Sequence, residues 1–358
     1  MTGLPRIVHL ASGREWRGGQ RQVLLLAREL SRLGLDQLVI TTAGSRLAAE
    51  LAAAGVLTHA VGWRIGLAPA ALWAAIAETR GAPAILHAHD AHALTLAGLA
   101  SRVTRTPFVV TRRVDFPLRR RGLWTKASVV IAISEAVRHI LIADGIDPTR
   151  ITVVHSGIDL AVAAGVKPDG IRVELGLSDG GPLVVCVAAL VGHKDHATLL
   201  RAAALLHPRF PDLHWALAGA GNLRTDLETQ ARDLGVAPVI HFLGQVSEPR
   251  RLIAAGTVFA LSSREEGLGT TVLDALALGV PVVATRAGGI PEMLEGGAGV
   301  LVAPGDSAGL ADGIAQVLGS VELRSRLAVQ GRQSVGRFSD HGMATKVLQV
   351  YRSVVLER

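Results

Sequence analysis

Residues 262–284 read Ser-Ser-Arg-Glu-Glu-Gly-Leu-Gly-Thr-Thr-Val-Leu-Asp-Ala-Leu-Ala-Leu-Gly-Val-Pro-Val-Val-Ala and carry the clearest structural signal in the chain. An apolar strand ends near Leu261, a turn with two glycines follows, and the next residues predict a helix over 270–278. Gly279 is the expected C-cap, since glycine readily adopts the left-handed conformation that ends many helices. The N-terminus of such a helix offers unpaired N–H groups to a diphosphate.

Two carboxylates and two glycines make this stretch a candidate ligand site. Gly267 and Gly269 let the backbone approach a phosphate closely. Glu266 precedes the helix, where its side chain can point into a cleft. Asp274 lies about one turn inside the helix and can accept two hydrogen bonds from a vicinal diol such as a ribose. The alternative is an ordinary loop with a solvated run of charge at 264–266.

Outward from this stretch, strand-like and helix-like segments alternate along most of the chain, which favours parallel sheets covered by helices. Helical spacing is clear at 18–32, 92–103 and 134–143, and Ser134 is an expected N-cap. The predicted strands are 7–10, 38–41, 84–88, 107–111, 129–133, 151–154, 183–188, 214–218, 239–242, 258–261, 280–284 and 300–302.

A region without a strong strand, 157–181, interrupts this alternation and is rich in Gly, Asp and Ala. We therefore predict an α/β protein of two doubly wound, Rossmann-like domains that face each other across a cleft. In such folds, ligands bind beyond the carboxyl ends of the strands. The expected bounds are 1–160 for the N-terminal domain, 161–340 for the C-terminal domain and 341–358 for a final helix.

Composition limits the classes of function. The chain has 358 residues, 49% of them hydrophobic, which is enough for two cored domains. The net charge of +7 comes mostly from arginine and suits an anionic partner: nucleotide phosphates, an anionic lipid surface or nucleic acid. Aromatic residues make up only 3%, which leaves few rings for base stacking and disfavours a nucleic-acid-binding module.

Cysteine content and hydropathy indicate the cellular compartment in which we expect the protein. A single cysteine, Cys186, excludes an intramolecular disulfide and a cysteine metal cluster, and we expect a buried, inert thiol. No apolar run approaches ~18 residues, and the N-terminus lacks the pattern of a signal peptide. We therefore expect a cytoplasmic protein, with peripheral attachment at the inner face of the membrane as a further hypothesis.

Two other segments are suited to phosphate. Gly18 and Gly19 separate the first strand from the first helix, although a simple turn explains them equally well. Lys194, one of only four lysines, follows the strand at 183–188, where a cation can neutralise a diphosphate leaving group. No Asp-x-Asp pair is present to hold a metal, and the histidines beside Lys194 lack convincing ligand spacing. Residues 218–221 supply half of a dinucleotide fingerprint without its third glycine, which disfavours NAD.

Together these motifs resemble the signature of the retaining family-4 (group 1) glycosyltransferases. That signature has Glu-Gly-Phe-Gly, a second Glu eight residues after the first, Gly-x-Pro-Val-Val-Ala-Thr and Gly-Gly-x-x-Glu. This chain has Glu266-Gly-Leu-Gly269, Asp274, Gly279-Val-Pro-Val-Val-Ala-Thr285 and Gly288-Gly-Ile-Pro-Glu292. The resemblance covers most of the chain, including Gly18-Gly19 and His155-Ser-Gly-Ile-Asp159.

The resemblance implies a GT-B fold, whose last helix crosses back to the N-terminal domain, and a metal-independent transfer without a resident cofactor. It assigns the donor sugar to Glu266, the ribose to Asp274 and the diphosphate to Lys194, and makes Lys194 and Glu266 the catalytic candidates. The remaining nucleotide-sugar contacts fall to Gly18, Gly19, Gly267, Leu268, Gly269 and Thr270. Two positions depart from the family. Asp274 is one methylene shorter than the usual Glu, and Ala189 stands where an Arg often accompanies the Lys, with Arg286, Arg264 or His193 as candidates to replace it.

The acceptor is expected on the N-terminal side. His89 and Asp90 follow the strand at 84–88, while Arg112 and Arg113 open a loop that holds five arginines together with Phe116 and Trp124. One hypothesis is that this loop binds a phosphorylated or membrane-embedded acceptor, and the alternative is a solvated basic loop. Many relatives have a histidine at the position of Arg113.

We therefore predict transfer of a sugar from a nucleotide diphosphate sugar to a hydroxyl of a glycan or lipid-linked acceptor, in cell-envelope polysaccharide or lipopolysaccharide biosynthesis. The expected partners are the nucleotide sugar, that acceptor and an anionic membrane surface, without nucleic acid. Two alternatives stay open: a nucleotide-sugar epimerase of the same fold and a non-catalytic nucleotide-sugar-binding subunit.

Overall fold

The computed structural model describes residues 4–63, 68–118, 121–168, 170–177 and 181–356. The chain divides into two compact units. The first comprises Met1–Ile158 and Phe338–Arg358, and the second comprises Asp159–Arg337.

Strands and helices alternate as expected from the sequence. The strands are β1 Arg6–Ala11, β2 Gln37–Thr42, β3 Thr58–Val61, β4 Ala84–Ala88, β5 Phe108–Arg112, β6 Val129–Ala132, β7 Ile151–Val153, β8 Leu183–Val187, β9 His214–Ala218, β10 Ile240–Gly244, β11 Val258–Leu261, β12 Val282–Thr285 and β13 Val300–Val302. The helices are α1 Gly18–Arg32, α2 Arg46–Ala53, α3 Pro69–Thr79, α4 Ala91–Thr104, α5 Glu135–Ala143, α6 Leu160–Ala164, α7 Ile171–Glu174, α8 His196–Leu206, α9 Arg224–Asp233, α10 Pro249–Ala254, α11 Thr270–Leu278, α12 Ile290–Met293, α13 Ser307–Gly319, α14 Val321–Ser334 and α15 Asp340–Leu356.

Each unit is built on a parallel sheet. Over the described residues, the strand order is β3-β2-β1-β4-β5-β6-β7 in the first unit and β10-β9-β8-β11-β12-β13 in the second. The order reverses beside the first strand of each sheet, which is the doubly wound arrangement. Central strands such as β4 and β11 are buried throughout, because helices cover both faces of the sheet. The predicted α/β class with two doubly wound units is confirmed.

Local signals explain several helix ends. Ser134 caps α5 by accepting a hydrogen bond from the backbone N–H of Val137, as predicted. Gly279 ends α11 with φ +69°, also as predicted. One strand was missed, β3, which lies at the edge of its sheet and buries only its last residue fully, so its hydrophobic pattern is weak. The interruption predicted at 157–181 holds two short helices, α6 and α7; its residues 169 and 178–180 lie outside the described ranges.

The last helix belongs to the first unit. α15 packs against α1, and the ring of Tyr351 is fully buried in the core that these helices share with the sheet. Where the chain re-enters this unit, Ser339 pairs with Ile158 in a parallel bridge. The backbone N–H of Ile158 donates to Phe338 at 2.8 Å, and that of Asp340 donates to Ile158 at 3.1 Å. No helix in the described ranges combines the length and the apolar character that a membrane crossing requires.

Candidate active site

An ion pair joins the two catalytic candidates of the second unit. Lys194 ends a short 3₁₀ turn after β8, and Glu266 lies in the loop between β11 and α11. The Nζ atom of Lys194 is hydrogen-bonded to Oε2 of Glu266, and the side chains are only 16% and 13% exposed. Neighbouring strands β8 and β11 thus bring together a cation suited to a diphosphate and a carboxylate suited to sugar hydroxyls.

The glycine turn before α11 has the geometry of an anion-binding helix terminus. Gly269 is the N-cap with φ +88°, a conformation that favours glycine. A Cβ atom there would lie 3.2 Å from Cγ of Glu266, so a side chain would crowd the carboxylate. Gly267 and Leu268 are buried in the turn, and Thr270 begins the helix. The turn therefore places Glu266 beside the N-terminus of α11.

The loop that carries Lys194 is fixed by its neighbours. Asp195 adopts a left-handed conformation with φ +46°, which Asp tolerates better than most residues, and its side chain caps α8. The hydroxyl of Ser262 donates to the carbonyl groups of Lys194 and Asp195 at 3.0 and 2.9 Å. Nε of Arg264 donates to Oδ2 of Asp195 at 2.7 Å. Nothing in the sequence pattern singled out Asp195, yet it fixes the backbone next to Lys194.

The three candidates to replace the arginine missing at Ala189 lie in different settings. Arg264 is paired with Asp195 and keeps a 58% exposed side chain. His193 accepts the backbone N–H of Arg264 on its carbonyl oxygen at 2.8 Å. Arg286 is exposed after β12. Of these, Arg264 brings a second cationic group to the loop of Lys194.

The second carboxylate of the motif is buried. Asp274, on α11, is only 1% exposed, and its Oδ1 accepts a hydrogen bond from Nε of Arg250 on α10 at 2.7 Å. Arg250 gave no signal in the sequence, since it lies 24 residues before Asp274 in a run of two arginines. Its position becomes apparent only once α10 packs against α11.

The first unit contains its own glycine turn. Gly18 begins α1 and Gly19 follows, with Arg17 as the N-cap residue. A Cβ atom on Gly19 would lie 3.5 Å from Cδ of Arg113, so Arg113 lies beside this turn. Burial lowers the pKa of Arg113 to about 10, while the charge of Asp90 opposes that shift. The predicted glycine turn and one predicted acceptor residue are thus neighbours.

The carboxylate of Asp90 stabilises the fold through three hydrogen bonds. Its Oδ1 caps α4 by accepting the N–H of Ala93 at 2.9 Å and also accepts the hydroxyl of Ser12 at 2.6 Å. Its Oδ2 accepts the backbone N–H of Ser12 at 2.8 Å. These contacts hold the end of β1 against the start of α4, so a structural role accounts for this carboxylate.

A buried network of histidines lies next to Asp90. Nη2 of Arg113 lies 3.5 Å from Nδ1 of His89, and Nε2 of His89 lies 3.0 Å from Nδ1 of His9. Arginine only donates, so Nδ1 of His89 accepts and its Nε2–H donates to His9. His87 contacts the hydroxyl of Tyr351 at 2.6 Å through Nδ1 and that of Thr111 at 2.7 Å through Nε2.

Burial keeps these imidazoles neutral. It lowers the pKa of His9 to about 4 and those of His87 and His89 well below the usual 6.5. One nitrogen of each ring lies within 4.8 Å of the others, a spacing that admits a metal. However, both nitrogens of His87 already have hydroxyl partners, and Arg113 places positive charge beside His89. The donor set therefore fits a hydrogen-bonded network better than a metal centre.

The basic loop after β5 is only partly available to a ligand. Nη2 of Arg112 donates to the carbonyl oxygen of Phe116 at 2.5 Å, and the guanidinium stacks over Trp124 with its Cζ 5.4 Å from the ring centroid. Trp124 is buried, which contradicts the hypothesis that its ring binds an acceptor. Phe116 is 38% exposed. Two arginines of the loop, at 119 and 120, lie outside the described residues.

Two further sequence features have structural explanations. Cys186 is buried in β8, and burial raises the pKa of its thiol to about 12, in keeping with the predicted inert thiol. Gly219 and Gly221 permit close packing, because Cβ atoms there would lie 1.9 Å and 2.1 Å from the carbonyl oxygens of Ala188 and Leu190. These glycines therefore belong to the contact between two loops of the second unit.

Two family models match the chain. The model for glycosyl transferases group 1 covers residues 169–334, and the model for Glycosyltransferase Family 4 covers residues 16–162. The lipopolysaccharide core biosynthesis glycosyltransferase LpsE of Rhizobium meliloti is 36% identical over 51% of this chain and 53% of its own length. A D-inositol 3-phosphate glycosyltransferase of Frankia alni is 30% identical over 78% of this chain and 70% of its own. The chain spans about half the length of the first curated relatives that it matches.

Solved structures show the same architecture. A glycosyltransferase from Rickettsia africae has a TM-score of 0.85 at 20% identity and covers 99% of both chains. Anabaena Alr3699/HepE, in complex with UDP-glucose, has a TM-score of 0.85 at 23% identity over 98% of this chain and 100% of its own. From its motifs, its two doubly wound units and these relatives, the chain belongs to the group 1 glycosyltransferases of the GT-B fold.

Proposed function

We propose that this enzyme transfers a hexosyl or related sugar from a nucleoside diphosphate sugar to an acceptor hydroxyl, with retention of anomeric configuration and without a metal. The contact between Lys194 and Glu266, beside the N-terminus of α11, carries the proposal. The cation and the helix N–H groups are suited to a leaving diphosphate, and the carboxylate is suited to sugar hydroxyls. Anabaena Alr3699/HepE, which shares the fold, is known in complex with UDP-glucose.

In this proposal the pair opens when the donor binds. The diphosphate competes for the ammonium group of Lys194, which frees oxygens of Glu266 to accept hydrogen bonds from the sugar. As the glycosidic C–O bond breaks, negative charge grows on the leaving phosphate and is neutralised by Lys194 and the helix terminus. The acceptor oxygen then bonds to the anomeric carbon from the same face and loses its proton to the leaving phosphate. Arg264 supplies the second cation that Ala189 cannot.

We assign the nucleotide part of the donor to the N-terminal part of α11 and the turn before it. Gly267, Leu268, Gly269 and Thr270 face the phosphates with backbone N–H groups, and Asp274 accepts from the ribose. On the acceptor side, Arg113 is placed beside the Gly18-Gly19 turn and suits an acceptor that carries a phosphate. His89 supports Arg113, while Arg112 and Asp90 shape the surrounding loops.

We propose a cell-envelope acceptor at the inner face of the membrane. Relatives include a lipopolysaccharide core biosynthesis glycosyltransferase and mannosyltransferases acting on phosphatidylinositol monomannoside. The net charge of +7 suits an anionic surface. Flotation with vesicles tests this part: we expect binding to anionic vesicles to exceed binding to neutral ones, and equal binding would contradict it.

A ligand screen followed by product analysis tests the proposed reaction. UDP, GDP, ADP and their common sugar conjugates are first compared by thermal shift, and we expect one base to stabilise the protein. The selected donor is then incubated with and without candidate acceptors, and the anomeric configuration of the product is read by NMR. Inverted product would refute retention, and conversion of the donor without acceptor would favour an epimerase. Binding without turnover on any acceptor would favour a non-catalytic subunit.

A further inference from the structure

The ion pair between Arg250 and Asp274 leaves a buried donor unused. Nε of Arg250 donates to Oδ1 of Asp274 at 2.7 Å, and the side chains are 12% and 2% exposed. Nη2 of Arg250 is also buried, but it has no hydrogen-bond partner within the described part of the chain. Buried donors rarely stay unpaired in folded proteins, because water is lost without a replacement. A ligand oxygen is the simplest partner for this N–H group.

The chemistry of the pair matches a vicinal diol. Each hydroxyl of a diol can donate one hydrogen bond and accept others, while an ionised carboxylate only accepts and a guanidinium only donates. A carboxylate and a guanidinium side by side therefore satisfy both capacities of the diol. A carboxylate alone satisfies only one.

Arg250 also orients the carboxylate of Asp274 toward its ligand. Contact with the guanidinium fixes the orientation of the Asp274 carboxylate. The side chain of Asp274 is short and cannot reach far from α11, so a partner that supplements its contacts has particular value here.

We propose that Arg250 is a ribose-recognition residue: it orients Asp274 and donates from Nη2 to the ribose diol of the donor nucleotide. This inference rests on the proposed function, since it assigns the donor ribose to Asp274. It adds a specificity-determining residue that discriminates ribonucleotides from nucleotides without the diol.

Calorimetric titration with a matched pair of nucleotides tests the inference. The nucleoside diphosphate that stabilises the wild type is compared with its 2′,3′-dideoxy analogue. Loss of contacts to two charged groups should weaken binding of the analogue by about tenfold or more. In Arg250→Met this ratio should fall toward one, whereas Arg250→Lys, which keeps a cationic donor, should retain part of it.

Further variants keep the test decisive. Arg251→Met makes the same change at the next residue of α10, where the side chain is 34% exposed and pairs with Glu248, and the ratio should stay at the wild-type value. Should Arg250→Met fail to fold because Asp274 loses its partner, the double variant Arg250→Met/Asp274→Asn removes the unpaired buried charge, and Asp274→Asn alone is its reference. We expect a lower ratio in the double variant than in Asp274→Asn, because the double variant also lacks the guanidinium donor.

Each outcome has a distinct meaning. A wild-type ratio in Arg250→Met, or equal ratios in the double variant and in Asp274→Asn, would overturn the role of Arg250. Wild-type protein that binds the nucleotide but does not distinguish the dideoxy analogue would overturn the ribose assignment and leave the proposed transfer intact. Wild-type protein that binds none of the nucleotides would overturn both.

Discussion

Lys194→Met removes the ammonium group from the ion pair with Glu266 while keeping an unbranched side chain. In the free protein both side chains are largely buried, so Glu266 loses its cationic partner in a place that water reaches poorly. When a nucleoside diphosphate binds, the variant also lacks the cation that our proposal places on the phosphates. The prediction concerns this second loss, which appears in binding and in turnover.

The structure sets the scale of the effect on binding. A hydrogen bond to a charged group contributes about 1.5–3 kcal/mol, so the dissociation constant should rise roughly 10- to 100-fold. A ligand at about 100 times the wild-type dissociation constant stabilises the wild type by ~2.7 kcal/mol. In the variant the same concentration should give only ~1.4 kcal/mol for a tenfold loss and ~0.4 kcal/mol for a hundredfold loss.

Turnover should suffer more than binding, because charge on the leaving diphosphate grows as the glycosidic bond breaks. Removing one preorganised donor to a developing charge typically lowers kcat by about 10²–10³. The assay pairs thermal shift on the nucleotide with release of nucleoside diphosphate under saturating donor. Both readouts use the same preparation.

Lys346→Met is the matched control. It makes the same substitution at an exposed lysine of α15, and we expect wild-type stabilisation and turnover. If Lys194→Met kept the full nucleotide shift and near-wild-type turnover, Lys194 would have no role in the reaction. A loss of similar size in Lys346→Met would show that general cationic charge, rather than the pair with Glu266, is responsible.

Other predictions concern stability and chemistry. Tyr351→Phe removes the hydroxyl that contacts His87 in a fully buried site. The free energy of unfolding, measured by urea titration, should fall by about 1–3 kcal/mol. An unchanged value would show that this contact does not stabilise the fold. Burial lowers the pKa of His9 and of His196 from 6.5 to about 4, so the unfolded chain takes up protons first as the pH falls. Each group should therefore lower the free energy of unfolding by ~1.4 kcal/mol per pH unit between these two values. A free energy of unfolding that stays constant from pH 7 to 4 would refute this prediction. Burial also raises the pKa of Cys186 to about 12, so iodoacetamide should label it slowly at pH 8 in native protein and rapidly in denaturant, as followed by mass spectrometry. Nucleotide-induced stabilisation should persist in EDTA, and a loss that Mg²⁺ restores would contradict metal-independent binding.

Sequence patterns predicted the features that depend on local periodicity. The strands and helices of both units follow from alternating apolar segments. Gly279 could be named as a C-cap because a glycine directly follows the predicted helix, and its φ of +69° confirms the prediction. The family resemblance assigned Lys194 and Glu266 to one site, and the structure places them after neighbouring parallel strands and in contact with each other. The edge strand β3 was missed because two of its residues are exposed, so its pattern does not differ from that of a loop.

The remaining site features depend on packing between distant segments. Arg250 and Asp274 lie 24 residues apart on different helices, and His87 and Tyr351 lie 264 residues apart. Such pairs leave no periodic signal in a single sequence. The burial of Trp124 could not be foreseen either, because an aromatic residue in an arginine-rich loop suits a membrane surface as well as a core.

The bridge between Ile158 and Ser339 has a consequence for protein synthesis. The chain leaves the first unit and re-enters it at neighbouring points, so the second unit is an insertion in a unit whose helix α15 is translated after it. Domains usually complete their folding in the order of translation. Here the ribosome delivers every residue of the inserted unit before Tyr351 can reach the core of the surrounding unit. We therefore expect the inserted unit to become protease-resistant first on stalled nascent chains, and the unit around it to follow only after α15 has left the exit tunnel.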